Sequence, residues 1–597
     1  YALQSSPNPT KLSIYPMLLR FHITAICIIL FATVNLSASY KNDVRYTELT
    51  NELNLRGIPV PTGAGAGVTQ VEAREDTNQN GTVESYEGYR PNPSSSEFSG
   101  KTITDVSNLG QDPSNHGTWV GRNLYGNTSS ISPGITAVSV YETNNFLNSG
   151  WYSGTPSTES NPLQNHSWVN WFANSNAPRR MDYAVNRDGF LPIVGIYNSD
   201  FGSQTTPSDI PDTYGSIYNG ITVGVSDGTH RYGTTTYDGA GRTKPDIVAP
   251  GGIPGLNPAT QYTSFATPII TAAAAFLIDA AGSNATAKDQ LTLKAILLAG
   301  ADKSISANWD QTPTRPIDDV YGAGELDIYQ SYFIQQGGQQ IVGSTIGTHG
   351  WNLANLSSNS SETYTINISS GFRLRRLSVL VTWNRKVKKQ GSSFNPSLAN
   401  MSLELTDDGD NSIVQSSDSA VDNIEHIWRD SGSELEAGSY TLSVVTDDAV
   451  QYAIAWRSEL YQDYTLWSST AFTSSTPSAE QDPSDDPDSD GIENQLEQAF
   501  GGDPETSDLS ILPISETIED GGQSYLQISY RKPDFENGLN YTVETVTNLN
   551  GTWSSSTSEV ELISVSSETG GYDRYTYRRV APLSSHEKAF LRVSLSQ

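Results

Sequence analysis

The chain of 597 residues carries 35 Lys and Arg against 66 Asp and Glu, which gives a formal net charge of −31. This excess of acid argues against a nucleic-acid partner, because phosphate binding needs a basic surface. The single cysteine excludes a disulfide scaffold. At roughly 150 residues per domain, this length predicts about three or four folded units. An apolar fraction of 36% with 10% aromatic residues can build real cores.

The first forty residues are expected to direct secretion and not to belong to the fold. Residues 1–16 precede the expected initiator, Met17, and are interpreted as an upstream extension. Residues 17–38 combine one positive charge, an apolar run of about 14 residues and small residues ending at Ala38, which is typical of a bacterial-type secretory signal peptide. The mature protein is therefore predicted to be extracellular, without an integral membrane span.

Residues 39–332 are predicted to form an α/β domain with a mostly parallel sheet flanked by helices. Loops rich in Gly, Asn and Ser separate short apolar runs at 67–72, 135–141, 191–197 and 220–226. A long Ala-rich helix is predicted at 264–281 and a second helix at 290–300. Buried strands that alternate with helices indicate a parallel sheet covered on both faces.

The remaining chain is predicted to be β-rich and acidic. Alternating strands and Asp/Gly/Asn turns at 335–460 indicate an antiparallel β-sandwich. Residues 468–509 are predicted to be an acidic linker with a calcium loop, followed by a small β-rich domain at 510–597. Between Arg457 and Arg531 there are 16 acidic residues and no Lys or Arg, so much of the net charge lies around this linker.

Three residues in the α/β part have the chemistry of a nucleophilic hydrolase. Ser264 lies where a helix begins, so free backbone N–H groups can stabilise an oxyanion nearby. His116 precedes a glycine and can act as the base that a serine hydroxyl needs. Glu72 ends an apolar strand, where its carboxylate can reach a site at the edge of the sheet and orient the imidazole.

The motifs around these residues resemble the subtilase (subtilisin-like) serine peptidase family. The resemblance rests on HGTWVG at 116–121, KPDIVAPG at 244–251 and TSFATP at 263–268, in the acid–His–Ser order of subtilisin. It extends over residues 60–332 and includes NHSW at 165–168 and IYN at 196–198. It implies a secreted serine endopeptidase with C-terminal β accessory domains.

The resemblance also implies roles for individual residues. Ser264 is the expected nucleophile, His116 the general base and Glu72 the acid of the triad. Asn198 is expected to donate to the oxyanion. Ser167, Trp168 and Val169 are expected to pair with the substrate as an added strand.

The chain departs from the family at three positions, which leaves other interpretations open. Glu72 replaces the usual Asp, and Tyr197 and Tyr262 replace glycines that precede the oxyanion asparagine and the nucleophile motif. A catalytically weak or inactive subtilase-like adhesion or scaffold protein is therefore the alternative. A third interpretation gives the main function to the C-terminal domains as glycan binders.

Two acidic loops are candidates for structural Ca²⁺. The first matches D-x-D-x-D-G-x₅-E, in which alternate acidic side chains converge on one hard cation. Its candidate ligands are Asp486, Asp488, Asp490, Ile492, Asn494 and Glu497. The second follows the strand of Glu72, with candidate ligands Asp76, Asn78, Asn80 and Glu87.

The expected partners and cofactors follow from these assignments. A protein or peptide is the expected substrate, and the C-terminal domains are candidates for glycan or cell-surface contact. The chain is expected to be a monomer, with structural Ca²⁺ and no catalytic cofactor.

Overall fold

The structure is a computed structural model that describes most of the chain after residue 38. The described residues are 39–76, 87–110, 112–169, 176–198, 209–210, 213–236, 238, 240–253, 257–585 and 588–597. The predicted upstream extension and signal peptide lie outside them, as do Asn78 and Asn80 of the second calcium loop.

A parallel seven-stranded sheet forms the centre of the α/β part. The first eleven strands are β1 (Val68–Glu72), β2 (Thr102–Asp105), β3 (Ala137–Glu142), β4 (Leu163–His166), β5 (Leu191–Gly195), β6 (Ile221–Val225), β7 (Gly233–Thr234), β8 (Thr243–Lys244), β9 (Ile247–Ala249), β10 (Gly252–Ile253) and β11 (Asn257–Gln261). The sheet order is β2-β3-β1-β4-β5-β6-β9, with β7-β8 and β10-β11 as separate antiparallel pairs. Strands β1, β4, β5 and β6 are buried along their whole length, as expected where helices cover both faces.

Helices cover this sheet, which confirms the predicted fold class. They are α1 (Ser39–Asp43), α2 (Tyr46–Leu55), α3 (Asn115–Tyr125), α4 (Thr143–Phe146), α5 (Asn176–Asp188), α6 (Thr263–Ala280), α7 (Gln290–Gly300) and α8 (Ile328–Gln336). Helix α6 contacts β4, β5, β6, β9 and α3. It alone among the described helices is long and apolar enough to cross a membrane, and 83% of it is buried in this core.

Two four-stranded antiparallel sheets follow the α/β part. Their eight strands and the separate hairpin β15-β16 are, in chain order, β12 (His349–Leu356), β13 (Ser360–Ile368), β14 (Arg373–Trp383), β15 (Lys386–Gln390), β16 (Ser393–Ser397), β17 (Met401–Asp407), β18 (Ser412–Ser417), β19 (Ile424–Arg429), β20 (Gly438–Thr446) and β21 (Val450–Tyr461). The sheets have the orders β12-β21-β14-β19 and β13-β20-β17-β18. Apolar side chains from both sheets form one hydrophobic cluster.

The first of these sheets also shares a core with the α/β part. Leu380, Ala453 and Ala455 point away from the second sheet and join the main hydrophobic cluster of the α/β part. Helices α7 and α8 contact β12 and β21 directly. The sequence patterns predict this segment to be an appended domain. In the structure, one face of its first sheet instead packs on helices α7 and α8 and completes the hydrophobic core of the α/β part.

The segment predicted to be a linker is folded and belongs to the C-terminal unit. It contains α10 (Asn494–Phe500) and begins within α9 (Tyr464–Ala471). Ile492 and Phe500 belong to the same hydrophobic cluster as the C-terminal strands. The small β unit therefore takes part of its core from the segment that precedes it. These strands are β22 (Ile514–Asp520), β23 (Gln523–Pro533), β24 (Asn540–Val546), β25 (Val560–Glu568), β26 (Tyr572–Arg579) and β27 (Phe590–Ser596), in the orders β22-β23-β26-β25 and β24-β27.

Candidate active site and cation site

Strand β1 and helix α3 bring the predicted acid and base into contact. Glu72 ends β1, is fully buried, and its Oε2 lies 2.8 Å from Nδ1 of His116. His116 is the second residue of α3, whose first turn is capped by Ser114 through a hydrogen bond from the Gly117 N–H. A carboxylate at Nδ1 selects the tautomer that carries its proton there, which leaves Nε2 as the proton acceptor.

Two carboxylates raise the pKa of His116. Burial of the ring lowers the pKa, but the nearby charge and hydrogen bond of Glu72 raise it, with a further contribution from Glu75, and the net shift is upward. Glu75 Oε2 accepts hydrogen bonds from the backbone N–H groups of Asn115 (2.6 Å) and His116 (3.2 Å). Glu75 thus places a negative charge at the positive end of α3, beside the base.

The predicted nucleophile lies at the start of α6. Ser264 is the second residue of this helix, and its hydroxyl donates to the carbonyl oxygen of Ser167 at 3.2 Å. The next residue, Phe265, packs its ring against that of His116, with centroids 5.6 Å apart. The serine hydroxyl therefore bonds to the chain segment after β4, and the residue that follows the serine packs against the predicted base.

Asn198 provides the cap that α6 otherwise lacks. Tyr262 holds the capping position without a side-chain hydrogen bond to the helix. The Oδ1 of Asn198 instead accepts from the backbone N–H of Thr263 (2.8 Å) and from its hydroxyl (3.1 Å). With the carbonyl oxygen committed to the helix end, the Nδ2 group of Asn198 is the remaining donor beside the serine.

The predicted substrate segment follows directly on β4. Ser167 and Trp168 are buried, and Val169 is half-buried. The hydroxyl of Ser167 accepts from Asn165 Nδ2 at 2.9 Å, which ties this segment to the end of the strand. Its carbonyl oxygen accepts from the Ser264 hydroxyl, so the backbone here runs beside the predicted nucleophile.

Tyr262, which departs from the family pattern, belongs to an aromatic cluster around Phe265. The Phe265 ring meets the edges of the Trp119 and Tyr262 rings, each with centroids 6.0 Å apart. Tyr262 remains 36% exposed, so its ring forms part of the accessible surface next to Ser264.

The loop after residue 485 brings carboxylates together in two overlapping groups. Ligand atoms of Asp486, Asp488 and Asp490 lie within 4.8 Å of one another, and so do those of Asp490, Glu497 and Asp508. The loop turns at Gly491, whose φ of +91° favours glycine. Asp508 lies outside the sequence pattern, and only the fold brings it beside Asp490.

Glu497 is the strongest indication of a ligand at this loop. Its side chain is 1% exposed, and neither carboxylate oxygen has a hydrogen-bond partner among the described residues. Burial raises the pKa of Glu497 to about 8, with further contributions from Asp508, Asp488 and Asp490. A buried carboxylate surrounded by like charges is unfavourable, and a divalent cation is the group that would reverse this.

Two residues predicted as ligands have other contacts in the structure. Asn494 Nδ2 donates to the carbonyl oxygens of Glu480 (3.2 Å) and Asp482 (2.9 Å), while its buried Oδ1 has no hydrogen-bond partner among the described residues, so its predicted role as a ligand stays a prediction. The side chain of Ile492 is buried in the core of the C-terminal unit, and its N–H donates to Asp490 Oδ1 at 2.9 Å. The predicted role of the Ile492 carbonyl stays a prediction.

The second predicted calcium loop is only partly described. Asp76 is half-buried and Glu87 is buried at 1% exposure, while Asn78 and Asn80 lie outside the described residues. A calcium ion there stays a prediction.

The match to a known protein family lies within the α/β part of the chain. Residues 66–324 match the model of the Subtilase family. No curated protein matches the chain. Similar solved structures include the patellamide maturation protease PatA (16% identity, 46% of this chain and 98% of that chain, TM-score 0.31), a protease from Pseudoalteromonas arctica (15%, 46% and 91%, 0.29) and a lanthipeptide protease (13%, 50% and 94%, 0.32). Residues 66–324 thus form a peptidase domain of the subtilase family.

Proposed function

We propose that this protein is a serine endopeptidase in which Ser264 is the nucleophile, His116 the general base and Glu72 the orienting acid. The observation that carries the proposal is the 2.8 Å contact between Glu72 Oε2 and His116 Nδ1. A buried carboxylate partner at Nδ1 is what an imidazole needs in order to remove a serine proton.

The reaction follows from the positions of these groups. The Ser264 hydroxyl turns from Ser167 toward His116, and Nε2 takes its proton as Oγ attacks the carbonyl carbon of the scissile bond. The imidazolium formed is stabilised by Glu72 and passes its proton to the leaving amine. A water molecule, deprotonated by the same Nε2, then hydrolyses the acyl-enzyme and restores Ser264.

The negative oxygen of the tetrahedral intermediate needs two donors. The Asn198 amide and the Ser264 backbone N–H are the candidates, since both lie at the positive end of α6. Replacing Asn198 with Ala is expected to lower turnover by about 10²–10³-fold. The substrate extends along residues 167–169 through backbone hydrogen bonds, as in β-augmentation.

Hydrolysis of a denatured protein substrate tests this function. Purified wild type should cleave it, Ser264→Ala and His116→Ala should abolish cleavage, and Ser264→Ala should leave the thermal unfolding of the chain unchanged. Ser469→Ala, an exposed serine of α9, is the matched control and should retain full activity. A folded wild type that cleaves no substrate would favour the adhesion or scaffold interpretation.

The acidic loop is expected to bind one Ca²⁺ ion that stabilises the C-terminal unit. The ion would bind between Asp488, Asp490, Glu497 and Asp508, with Asp486 completing the loop. Support comes from Glu497, whose two buried oxygens have no partner in the described part of the chain. Calorimetric titration of the metal-free protein with Ca²⁺ should show one tight site, and no binding heat would contradict it.

Secretion is expected from the N-terminal sequence. Signal peptidase cleavage after Ala38 would release a mature chain that begins at Ser39. Expression in a bacterial host followed by N-terminal sequencing of the exported protein should find Ser39 as the first residue. Retention of an uncleaved chain in the cytoplasm would contradict this.

A further inference from the structure

The second oxygen of Glu72 has a partner that the sequence motifs do not include. Gln70 lies two residues earlier on β1, so its side chain shares a face with Glu72. Its Nε2 donates to Glu72 Oε1 at 3.0 Å and to the carbonyl oxygen of Gly117 at 3.1 Å. Gln70 thus links the strand that carries the acid to the helix that carries the base.

The orientation of the Gln70 amide is determined by a third contact. Tyr125, at the end of α3, donates its hydroxyl proton to Gln70 Oε1 at 2.6 Å. Burial raises the pKa of Tyr125 well above its usual value, with a contribution from Glu72, so its hydroxyl remains a donor. The Gln70 amide therefore has both of its protons on acceptors and its oxygen on a donor, and a flipped amide would lose all three bonds.

Space for this arrangement is provided by Gly121. A Cβ atom at Gly121 would lie 2.6 Å from the Tyr125 hydroxyl, closer than real contacts allow. Gln70 and Tyr125 are themselves completely buried, so no water competes for their hydrogen bonds. A buried polar group of this kind requires a defined set of partners.

We infer that Gln70, held by Tyr125, is a positioning residue that fixes the Glu72 carboxylate against His116. The inference rests on the proposed function for its catalytic consequence. Glutamate has one more rotatable bond than the aspartate usual at this position, and the Gln70 amide removes that freedom by binding Oε1 while His116 binds Oε2. Without Gln70, a buried carboxylate oxygen lacks a donor, and the carboxylate turns away from the ring.

The consequence for His116 has a definite sign. The charged groups that act on its ring are Glu72 from β1 and Glu75 from the following loop, and both raise its pKa. If Glu72 moves away, the imidazolium loses its main source of stabilisation. The pKa of His116 then falls, and the imidazole is also held less well for proton transfer.

The test compares Gln70→Leu and Tyr125→Phe with two matched controls in the full chain. Gln164→Leu removes a buried glutamine of the neighbouring strand β4, and Tyr364→Phe removes a buried hydroxyl of the second antiparallel sheet. The His116 titration is followed by NMR on protein labelled with ¹⁵N-histidine, with His116→Ala for assignment. Labelling by a fluorophosphonate gives the rate of reaction at Ser264.

Gln70→Leu should lower the His116 midpoint and slow fluorophosphonate labelling by about 10- to 100-fold. Tyr125→Phe should lower the His116 midpoint and the labelling rate by smaller amounts than Gln70→Leu does. The two controls should lose stability without a change in the His116 midpoint. An unchanged His116 midpoint in folded Gln70→Leu overturns the inference. If Gln70→Leu does not fold, an unchanged His116 midpoint in Tyr125→Phe overturns it instead. An unlabelled wild type would refute the proposed function alone, because the titration does not depend on reaction at Ser264.

Discussion

Two buried glutamates of this chain are in opposite situations. Glu72 is 0% exposed and Glu497 is 1% exposed, so both carboxylates are removed from water. Each oxygen of Glu72 has a protein partner, His116 on one side and Gln70 on the other. Neither oxygen of Glu497 has one among the described residues, and its nearest charges are other carboxylates.

This difference shows how burial alone should be interpreted. A buried carboxylate with a complete set of donors is stabilised by the protein and can serve chemistry that needs a fixed charge. A buried carboxylate without donors destabilises the folded state, because no group of the protein replaces its lost hydration. The first arrangement points to an internal function, and the second to a ligand that comes from solution.

The largest effect is expected for Glu72→Gln, which keeps the shape of the side chain and removes its charge. The amide favours the wrong imidazole tautomer, and the rate of acylation should fall by about 10⁴-fold. Pre-steady-state hydrolysis of an activated ester substrate measures this. A variant within tenfold of wild type would mean that Glu72 is not the acid of the triad.

Asp182 is another buried carboxylate, and its cationic partner, Arg385, can be removed by mutation to create a buried carboxylate without a cation. Arg385, in the hairpin arm after β14, donates to Asp182 and Asp238, and its Nε lies 3.1 Å from Asp182 Oδ2. Arg385→Met leaves Asp182 buried without its cation and should lower the free energy of unfolding by about 3–5 kcal/mol.

Urea unfolding of the full chain measures the Arg385→Met effect. The control is Arg592→Met, because the Arg592–Glu544 ion pair is half exposed and should contribute less than about 1 kcal/mol. Equal losses in the two variants would contradict the distinction between buried and exposed pairs.

Glu497→Gln should have the opposite effect on stability in the absence of metal. The variant removes the cost of burying the Glu497 carboxyl group and the repulsion from its acidic neighbours, so the metal-free variant should unfold at a higher temperature than metal-free wild type. Ca²⁺ at 100 times its Kd should stabilise wild type by about 2.7 kcal/mol and the variant far less. Thermal unfolding with EDTA and with Ca²⁺ measures both effects. A metal-free variant less stable than wild type would show that Glu497 has a structural partner.

The smallest effect is expected for Glu75→Gln. The variant keeps an acceptor for the N-terminus of α3 but removes a charge that raises the pKa of His116. Because only the neutral imidazole is a base, a lower pKa extends activity to lower pH. The acidic limb of the kcat/KM profile should therefore shift down by a few tenths of a pH unit. A shift upward would contradict the assigned direction.

Much of the α/β part could be predicted from short sequence patterns. Apolar strands and the Ala-rich helix indicated the parallel sheet, because burial on both faces leaves a continuous apolar run. Glu72, His116 and Ser264 could be proposed as a triad because each lies near the end of an element and within or near a motif that resembles the subtilase family. The shared core between the two parts was not predictable, since Leu380 and Ala453 have the same local pattern as residues that face the second sheet.

The supporting residues of both sites required the fold. Gln70 is a polar residue within the short apolar run that predicts a buried strand. This conflict between side-chain polarity and burial was the one sequence feature that could have indicated a specific role for Gln70. Asp508 lies 11 residues beyond Glu497, outside any calcium-loop pattern, and only the turn at 503–508 brings it beside Asp490. Tertiary packing therefore supplied what the periodicity of the sequence could not.

The most direct test of the central claim is the site of covalent reaction with a fluorophosphonate. Peptide mapping by mass spectrometry of the labelled wild-type protein should place one adduct on Ser264. The labelling should disappear in His116→Ala and fall steeply in Glu72→Gln, as expected for a serine activated by an oriented imidazole. A folded wild type with no adduct, or with an adduct on another residue, would contradict the account.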